Sequence, residues 1–236
     1  MINLPFKNSI LSALLKQRIK QIDNVNSSPL ITQEKIFTGL IKKALNTKFG
    51  NDHSFSKIKT YNDYKKNVPV RKYEEIFPYI EQMRLGEKNI LWPGKTFFFA
   101  KSSGTTNAKS KYIPLSNDNL YDCHFKGGKD MLAIYLKNNP ESKVFNGKGI
   151  MLGGSKETDN KIIEGDLSAI LLDNFPFWVN SHRIPDIETA LSDNWNKKLE
   201  KITEQSINQN ITNLTGVPSW MLILLSKIIK KTGANN

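Results

Sequence analysis

The chain has a single cysteine, Cys123, in 236 residues, which rules out an internal disulfide and a cysteine-based zinc cluster. Histidine is almost as scarce. His124 adjoins Cys123, so on a helix the two side chains point apart, and His53 and His182 stand at no ligand spacing to either. A histidine-based metal site is therefore not indicated. Long apolar runs are missing too: the longest, Trp220 to Leu225, is far too short to span a bilayer. Met1 to Lys20 alternates apolar and basic residues without a secretory core or cleavage site. These absences make the cytoplasm the expected location and leave no membrane partner. Equally absent are a Gly-x-Ser-x-Gly elbow, a distinctive pair of carboxylates, internal repeats and low-complexity tracts.

Acidic residues are in deficit, with 22 Asp and Glu against 34 Lys and Arg, for a formal charge of +12. Such an excess attracts nucleic acid, anionic lipid or a phosphate-bearing ligand. The lysines, however, are spread in pairs such as Lys42-Lys43, Lys65-Lys66, Lys197-Lys198 and Lys230-Lys231 within helical patterns, and they read as solvated faces. Aromatic interleaving and nucleic-acid motif spacings are missing, so nucleic acid is not the expected partner.

What is present is an ordinary globular balance of apolar and charged residues, enough for one large domain, two small ones or part of a larger fold. Leu11, Leu14, Leu15, Ile19 and Ile22 predict a helix over Ile10 to Ile22, interrupted by Ser27-Ser28-Pro29. Thr32 is the expected N-cap of a second helix, carried by Ile36, Leu40, Ile41, Ala44 and Leu45 and ending near Gly50. Residues 1–50 thus form a helical lead-in. Asn51 to Val70 reads as irregular. A helix restarts at Tyr73 and stops at Gly86, with Pro78 kinking or breaking it.

Asn89 to Gly94 reads as a turn and Thr96-Phe97-Phe98-Phe99-Ala100 as a buried strand. Asp118 to Leu136 predicts a helix weakened by Gly127-Gly128, in which Phe125, Met131, Leu132 and Tyr135 read as core rather than as a substrate wall. Phe175-Pro176-Phe177-Trp178 reads as packing. Lys148 to Gly154 is a strand, Gly165 to Leu171 a strand or helix start, and Leu191, Trp195, Leu199 and Ile202 mark a helix. Pro218 to Ile229 is a further helix, apolar nearly all round, whose surface is expected to be poorly covered in this chain. Helices mixed with short apolar strands define an α/β protein.

The stretch 95–115 carries the chemistry. Directly after the strand comes Lys101-Ser102-Ser103-Gly104-Thr105-Thr106-Asn107-Ala108-Lys109-Ser110-Lys111-Tyr112-Ile113-Pro114. A loop that grips a polyphosphate needs curved backbone exposing N–H groups, hydroxyls to supplement them and a cation to offset charge. Gly104 permits the close approach, Ser102, Ser103, Thr105 and Thr106 supply hydroxyls, and Lys109 and Lys111 are the cations. The Walker pattern does not fit, since the second glycine is missing and the lysine comes one residue early.

At these residues the chain resembles the adenylate-forming enzymes, and within them most closely the Gretchen Hagen auxin-responsive family of acyl-acid amido synthetases. The closer likeness rests on Lys111 standing three residues before Pro114. It is supported by Val68-Pro69-Val70-Arg71-Lys72-Tyr73-Glu74, Tyr79-Ile80-Glu81, Leu85 to Gly94, Gly165 to Leu171 and Gly216-Val217-Pro218-Ser219-Trp220. Asn107 and Ala108 depart from the small or glycine residues common at those places.

The resemblance implies the N-terminal portion of the large domain of an adenylate-forming enzyme, an incomplete α/β fold with helices packed on β-sheet. It implies an ATP-dependent acid–amine ligase with Mg²⁺, acting on a small carboxylic acid and an amine acceptor such as an amino acid. Ser102, Ser103, Gly104, Thr105, Thr106 and Lys111 would hold the nucleotide's phosphates. Family members continue into adenine- and ribose-contacting motifs and a smaller C-terminal domain, so residues 1–236 read as a fragment lacking both. A catalytically inactive truncated protein that binds phosphate or a partner is the alternative expectation.

Overall fold

The run Ser27-Ser28-Pro29 marks the junction of the first two helices, with only Ser28 between them. In the computed structural model, which describes residues 7–102, 110–159 and 161–233, α1 (Lys7–Ser27) ends at Ser27 and α2 (Pro29–Ala44) begins at Pro29. The fixed φ and missing N–H of proline suit the first helical position. The expected cap at Thr32 is thus a turn too late, and its N–H already donates to the Ser28 carbonyl at 3.0 Å. Gly50 does not end α2 either. Thr47 caps a separate short helix, α3 (Lys48–Asp52), its hydroxyl accepting from the Gly50 N–H at 2.9 Å and donating to the Ala44 carbonyl at 2.8 Å. A Cβ on Gly50 would lie 2.2 Å from the Ala44 carbonyl oxygen, so glycine serves close packing there.

Residues 51–70, read as irregular, are more ordered than that. A 3₁₀ turn at Phe55–Lys57 leads to α4 (Tyr61–Asn67), which opens on a reciprocal capping box between Thr60 and Asp63. Ile41, Ala44, Phe55 and Ile58 form the core of this helical region, with Phe37, Tyr64 and Trp92 packed around them.

Helix α5 (Tyr73–Arg84) runs through Pro78 without breaking. Pro78 and Glu74 both lie on the exposed side, so the carbonyl that loses its N–H partner is left to water. Gly86, at φ +91°, stops the helix as expected. Strands β1 (Phe98–Lys101) and β2 (Tyr112–Leu115) pair antiparallel, with Phe98 opposite Leu115 and Lys101 opposite Tyr112. Ile80, Met83, Ile90, Phe99 and Ile162 make the apolar core beneath them. After β2 the chain winds as a π-helix over Asn119–Phe125 and then as α6 (Lys126–Asn138), the winding changing just before Gly127-Gly128. The core reading of this helix fails at two positions: Met131 is 65% exposed and Tyr135 44%, because Ala133 occupies its buried face.

Strands β3 (Lys148–Met151), β4 (Lys156–Asp159) and β5 (Ile162–Gly165) follow. The first sheet has the order β2-β1-β5-β4, in which the Ile163 N–H donates to the Phe97 carbonyl at 2.8 Å. Then come α7 (Leu167–Asp173), α8 (Phe177–Asn180), β6 (Arg183–Ile184), α9 (Ile187–Ala190), α10 (Trp195–Ser206), β7 (Ile211–Thr215) and α11 (Pro218–Thr232). The second sheet is parallel, with β3 between β6 and β7.

By their contacts the residues form two compact units, one of Leu11–Asn138 with Asp159–Ile163, the other mainly of Asn139–Thr158 and Glu164–Asn236. In the second unit Ile150, Leu152, Ile184, Leu199, Ile202, Met221 and Leu224 form the core. Helix α11 buries Met221 and Leu224, yet Leu222 is 66% exposed and Ile223 49%, so its apolar surface is poorly covered, as expected. Among the described residues no helix is long and apolar enough to cross a membrane.

Candidate functional site

The polar loop leaves the β1–β2 ladder at Ser102 and rejoins it at Lys111. The neck is closed twice: the Ser102 N–H donates to the Lys111 carbonyl at 2.9 Å, and the Lys111 N–H donates to the Ser102 hydroxyl at 3.0 Å. The buried aromatic face of β1, Phe99 above all, fixes the register that brings these two residues opposite each other. Of the residues the sequence puts forward, Ser102 and Lys111 are thus placed side by side. Ser103, Gly104, Thr105 and Thr106, with Lys109, lie outside the described residues.

Aromatic rings seat the cations around this neck. The Lys111 ammonium lies 5.2 Å from the centroid of the Tyr73 ring, and the Arg84 guanidinium 3.8 Å from that of Tyr112. Lys101, the cross-strand neighbour of Tyr112, lies 5.9 Å from the same ring. Tyr73 also reaches the backbone: its hydroxyl accepts from the Tyr112 N–H at 2.7 Å and lies 3.3 Å from the Tyr112 carbonyl, to which it donates. Three cationic side chains therefore gather at the root of the loop, each near the face of an aromatic ring. Tyr73, Arg84 and Lys101 were not singled out from the sequence. Tyr73 and Arg84 open and close α5, and nothing in a helical pattern shows that its two ends reach the same strand.

A second polar loop follows β3. The ammonium of Lys198, a residue only 3% exposed, donates to the Gly153 carbonyl at 2.9 Å and the Gly154 carbonyl at 3.3 Å. Burial pushes Lys198 below the usual lysine range, and the charges of Asp193 and Asp166 oppose that shift. The Gly154 N–H donates to the Ser168 hydroxyl at 3.0 Å, and the Ser155 N–H to the Asp166 carboxylate at 3.0 Å. A Cβ on Gly154 would lie 1.8 Å from that carboxylate. The loop is committed to its own scaffold.

His53 is structural. Its Nε2 lies 2.9 Å from the Arg71 guanidinium, which can only donate, so Nδ1 carries the proton given to the Phe49 carbonyl at 2.8 Å. Cys123 is exposed and free, and among the described residues no three His, Cys, Asp or Glu side chains gather closely enough to hold a metal. Two shallow clefts, of about 270 Å³ beside α10 and about 360 Å³ on α2, include no residue of the hairpin.

The fold of this chain matches part of solved acyl acid amido synthetases. The structure of "GH3.15 acyl acid amido synthetase" matches with a TM-score of 0.69 at 18% identity, over 98% of this chain and 40% of that one. The same synthetase in complex with 2,4-DB also matches at 0.69, with 20% identity, over 97% of this chain and 39% of the other. At these identities the likeness concerns the fold.

The chain belongs to the GH3 family: the model of the GH3 family N-terminal domain matches residues 18–235. Among curated relatives from Arabidopsis thaliana, the 4-substituted benzoates-glutamate ligase GH3.12 is 36% identical over 91 residues, 31% of this chain and 16% of that protein. The indole-3-acetic acid-amido synthetase GH3.2 is 24% identical over 167 residues, 62% of this chain and 30% of that protein. The chain thus spans well under half the length of the relatives and structures it matches.

Proposed function

We propose that this chain carries the phosphate-gripping hairpin of an ATP-dependent acyl acid amido synthetase. The carrying observation is the doubly closed neck at Ser102 and Lys111, which sets a cation and a hydroxyl at the two ends of a Ser/Thr/Gly loop. In this reading Ser102, Ser103, Gly104, Thr105 and Thr106 donate to the β- and γ-phosphates, and Lys111 offsets the charge of the departing pyrophosphate. The cations at the loop root fit a polyanion. The described residues offer no carboxylate cage, so Mg²⁺ would ride on the phosphates themselves, as hydrated magnesium commonly does.

The overall reaction is the one that the family resemblance implies. A carboxylate oxygen attacks the α-phosphate of ATP and the bond to the β-phosphate oxygen breaks, giving an acyl-adenylate and pyrophosphate. An amine, such as that of an amino acid, then attacks the acyl carbon, loses a proton and expels AMP. The substrates are therefore a small carboxylic acid, an amine and ATP, and the working compartment is the cytoplasm.

Titration calorimetry of magnesium pyrophosphate into the chain tests the grip. Lys111→Ala should weaken binding by about tenfold, the scale of one charge-assisted contact. Equal affinity in the variant would refute the assignment. Acid-dependent exchange of labelled pyrophosphate into ATP tests the chemistry separately, and binding without exchange would leave this chain a phosphate binder.

A further inference from the structure

Resting on the phosphate-loop reading, we propose that Tyr73 is a positioning residue that fixes the return end of the hairpin and, with it, Lys111. Strand β2 is the outer strand of its sheet. Tyr112 stands opposite Lys101, while the neck hydrogen bonds to β1 run through Ser102 and Lys111, so the N–H and carbonyl of Tyr112 face away from β1. On an edge strand those two groups would meet water or another chain. Here one phenol takes both, with its oxygen 2.7 Å from the nitrogen and 3.3 Å from the carbonyl oxygen. The Tyr73 hydroxyl thus acts as a single residue of a missing strand.

This placement bears on Lys111 from three directions. Its carbonyl and N–H are both held by Ser102, its successor Tyr112 is held by the Tyr73 hydroxyl, and its ammonium sits over the Tyr73 ring at 5.2 Å. The lysine has a long flexible stem and contributes most to a phosphate site when its backbone is fixed before the ligand arrives. Helix α5 supplies that fixity from outside the sheet. The ring and the hydroxyl do separate things: the ring holds the ammonium in the absence of phosphate, and the hydroxyl holds the backbone from which it reaches.

The two roles separate by substitution. Tyr73→Phe keeps the ring and removes the hydroxyl, and Tyr73→Leu removes both. Tyr79→Phe is the control, because it removes a hydroxyl from the same helix, one that donates to Asp52 at 2.8 Å away from the hairpin. In ligand-free Tyr73→Phe, amide exchange at Tyr112 should quicken at least tenfold while Phe99 and Ala100 keep their protection. Magnesium pyrophosphate affinity should fall about fivefold in Tyr73→Phe, further in Tyr73→Leu, and not at all in Tyr79→Phe.

Unchanged pyrophosphate affinity in a folded Tyr73→Phe chain, with binding intact in the unsubstituted chain, overturns the positioning role and leaves the phosphate reading standing. No binding by the unsubstituted chain overturns both. Should the variants not fold, the unsubstituted chain still decides: a Tyr112 amide exchanging at the rate of an open strand edge refutes the clamp, and a protected one supports it.

Discussion

Two polar loops follow strands in this chain, and their described residues are held in different ways. The loop after β3 gives the Gly154 N–H to Ser168, the Ser155 N–H to Asp166, and the carbonyls of Gly153 and Gly154 to the buried Lys198. In the loop after β1, Ser102 and Lys111 exchange hydrogen bonds at the neck, and Lys111 and Arg84 lie over aromatic rings. By composition alone the first is as good a phosphate loop as the second. It holds two glycines and a serine at the carboxyl end of a parallel strand, where ligands of α/β proteins commonly bind. The structure removes it from contention: a loop whose N–H groups and lysine are spent on the scaffold has none left for an anion.

The largest effect should come from breaking the committed loop. Lys198→Met keeps the length and apolar stem but leaves two carbonyls of the buried Gly153-Gly154 segment without a donor. An unsatisfied buried polar group costs about 1–3 kcal/mol. Removing a buried ammonium returns part of its desolvation cost, so a net loss of about 2–3 kcal/mol is expected. For a chain of this size that lowers the melting temperature by roughly 5–10 °C. Pyrophosphate affinity should not change. A variant that melts with the unsubstituted chain, or one that loses pyrophosphate binding while folded, would erase the distinction between the loops.

The complementary substitution goes into the hairpin. If residues 103–109 serve a ligand, replacing Thr105 and Thr106 together by alanine should leave the melting temperature within about 1–2 °C, as for surface changes that touch no scaffold contact. Pyrophosphate affinity should drop about fivefold to tenfold, consistent with two lost hydrogen bonds of modest net worth. Destabilisation as large as that of Lys198→Met, without loss of affinity, would make this loop structural too.

Periodicity and turn chemistry made most of the fold legible: the break at Ser27-Ser28-Pro29, the stop at Gly86, the strand into Ser102 and the helices near Trp195 and Pro218. Helix starts were less secure. Thr32 resembles a cap, but Pro29 at the first helical position outranks it, and the signal at Thr60 and Asp63 was hidden in a stretch without apolar periodicity. Lys198 was illegible for a physical reason. It falls three residues after Trp195 and one before Leu199, on the buried side of α10, yet a lysine in a lysine-rich sequence reads as solvated. Met131 and Tyr135 failed in the opposite sense, since apolar character does not say which face of a helix finds a partner. Ser102 and Lys111 could be singled out because both lie in one short polar stretch, although their pairing across a hairpin was not read, whereas Tyr73 reaches Tyr112 from 39 residues upstream.

A smaller effect sharpens the comparison from the scaffold side of the hairpin unit. Asp118, just after β2, accepts from the Lys43 ammonium at 2.6 Å and the Trp92 indole N–H at 2.7 Å. The hydrogen bond from Lys43, then that from Trp92, holds its carboxyl below the usual aspartate value of 3.8, against a smaller opposing effect of burial. A folded-state pKa below the unfolded one means that the unfolded chain binds its proton first as pH falls. The stabilisation is therefore complete above the unfolded value and disappears as pH falls through the folded one. The pair is partly exposed, so screening limits its worth to about 1 kcal/mol or less. Asp118→Asn should lower the melting temperature by roughly 1–3 °C at pH 7 and flatten the acid limb below about pH 4, with 0.5 M salt narrowing the gap between the two proteins. A gap that persists at pH 2, or that salt leaves untouched, would mean that packing against Trp92, and not charge, holds α2 to the start of the π-helical turn.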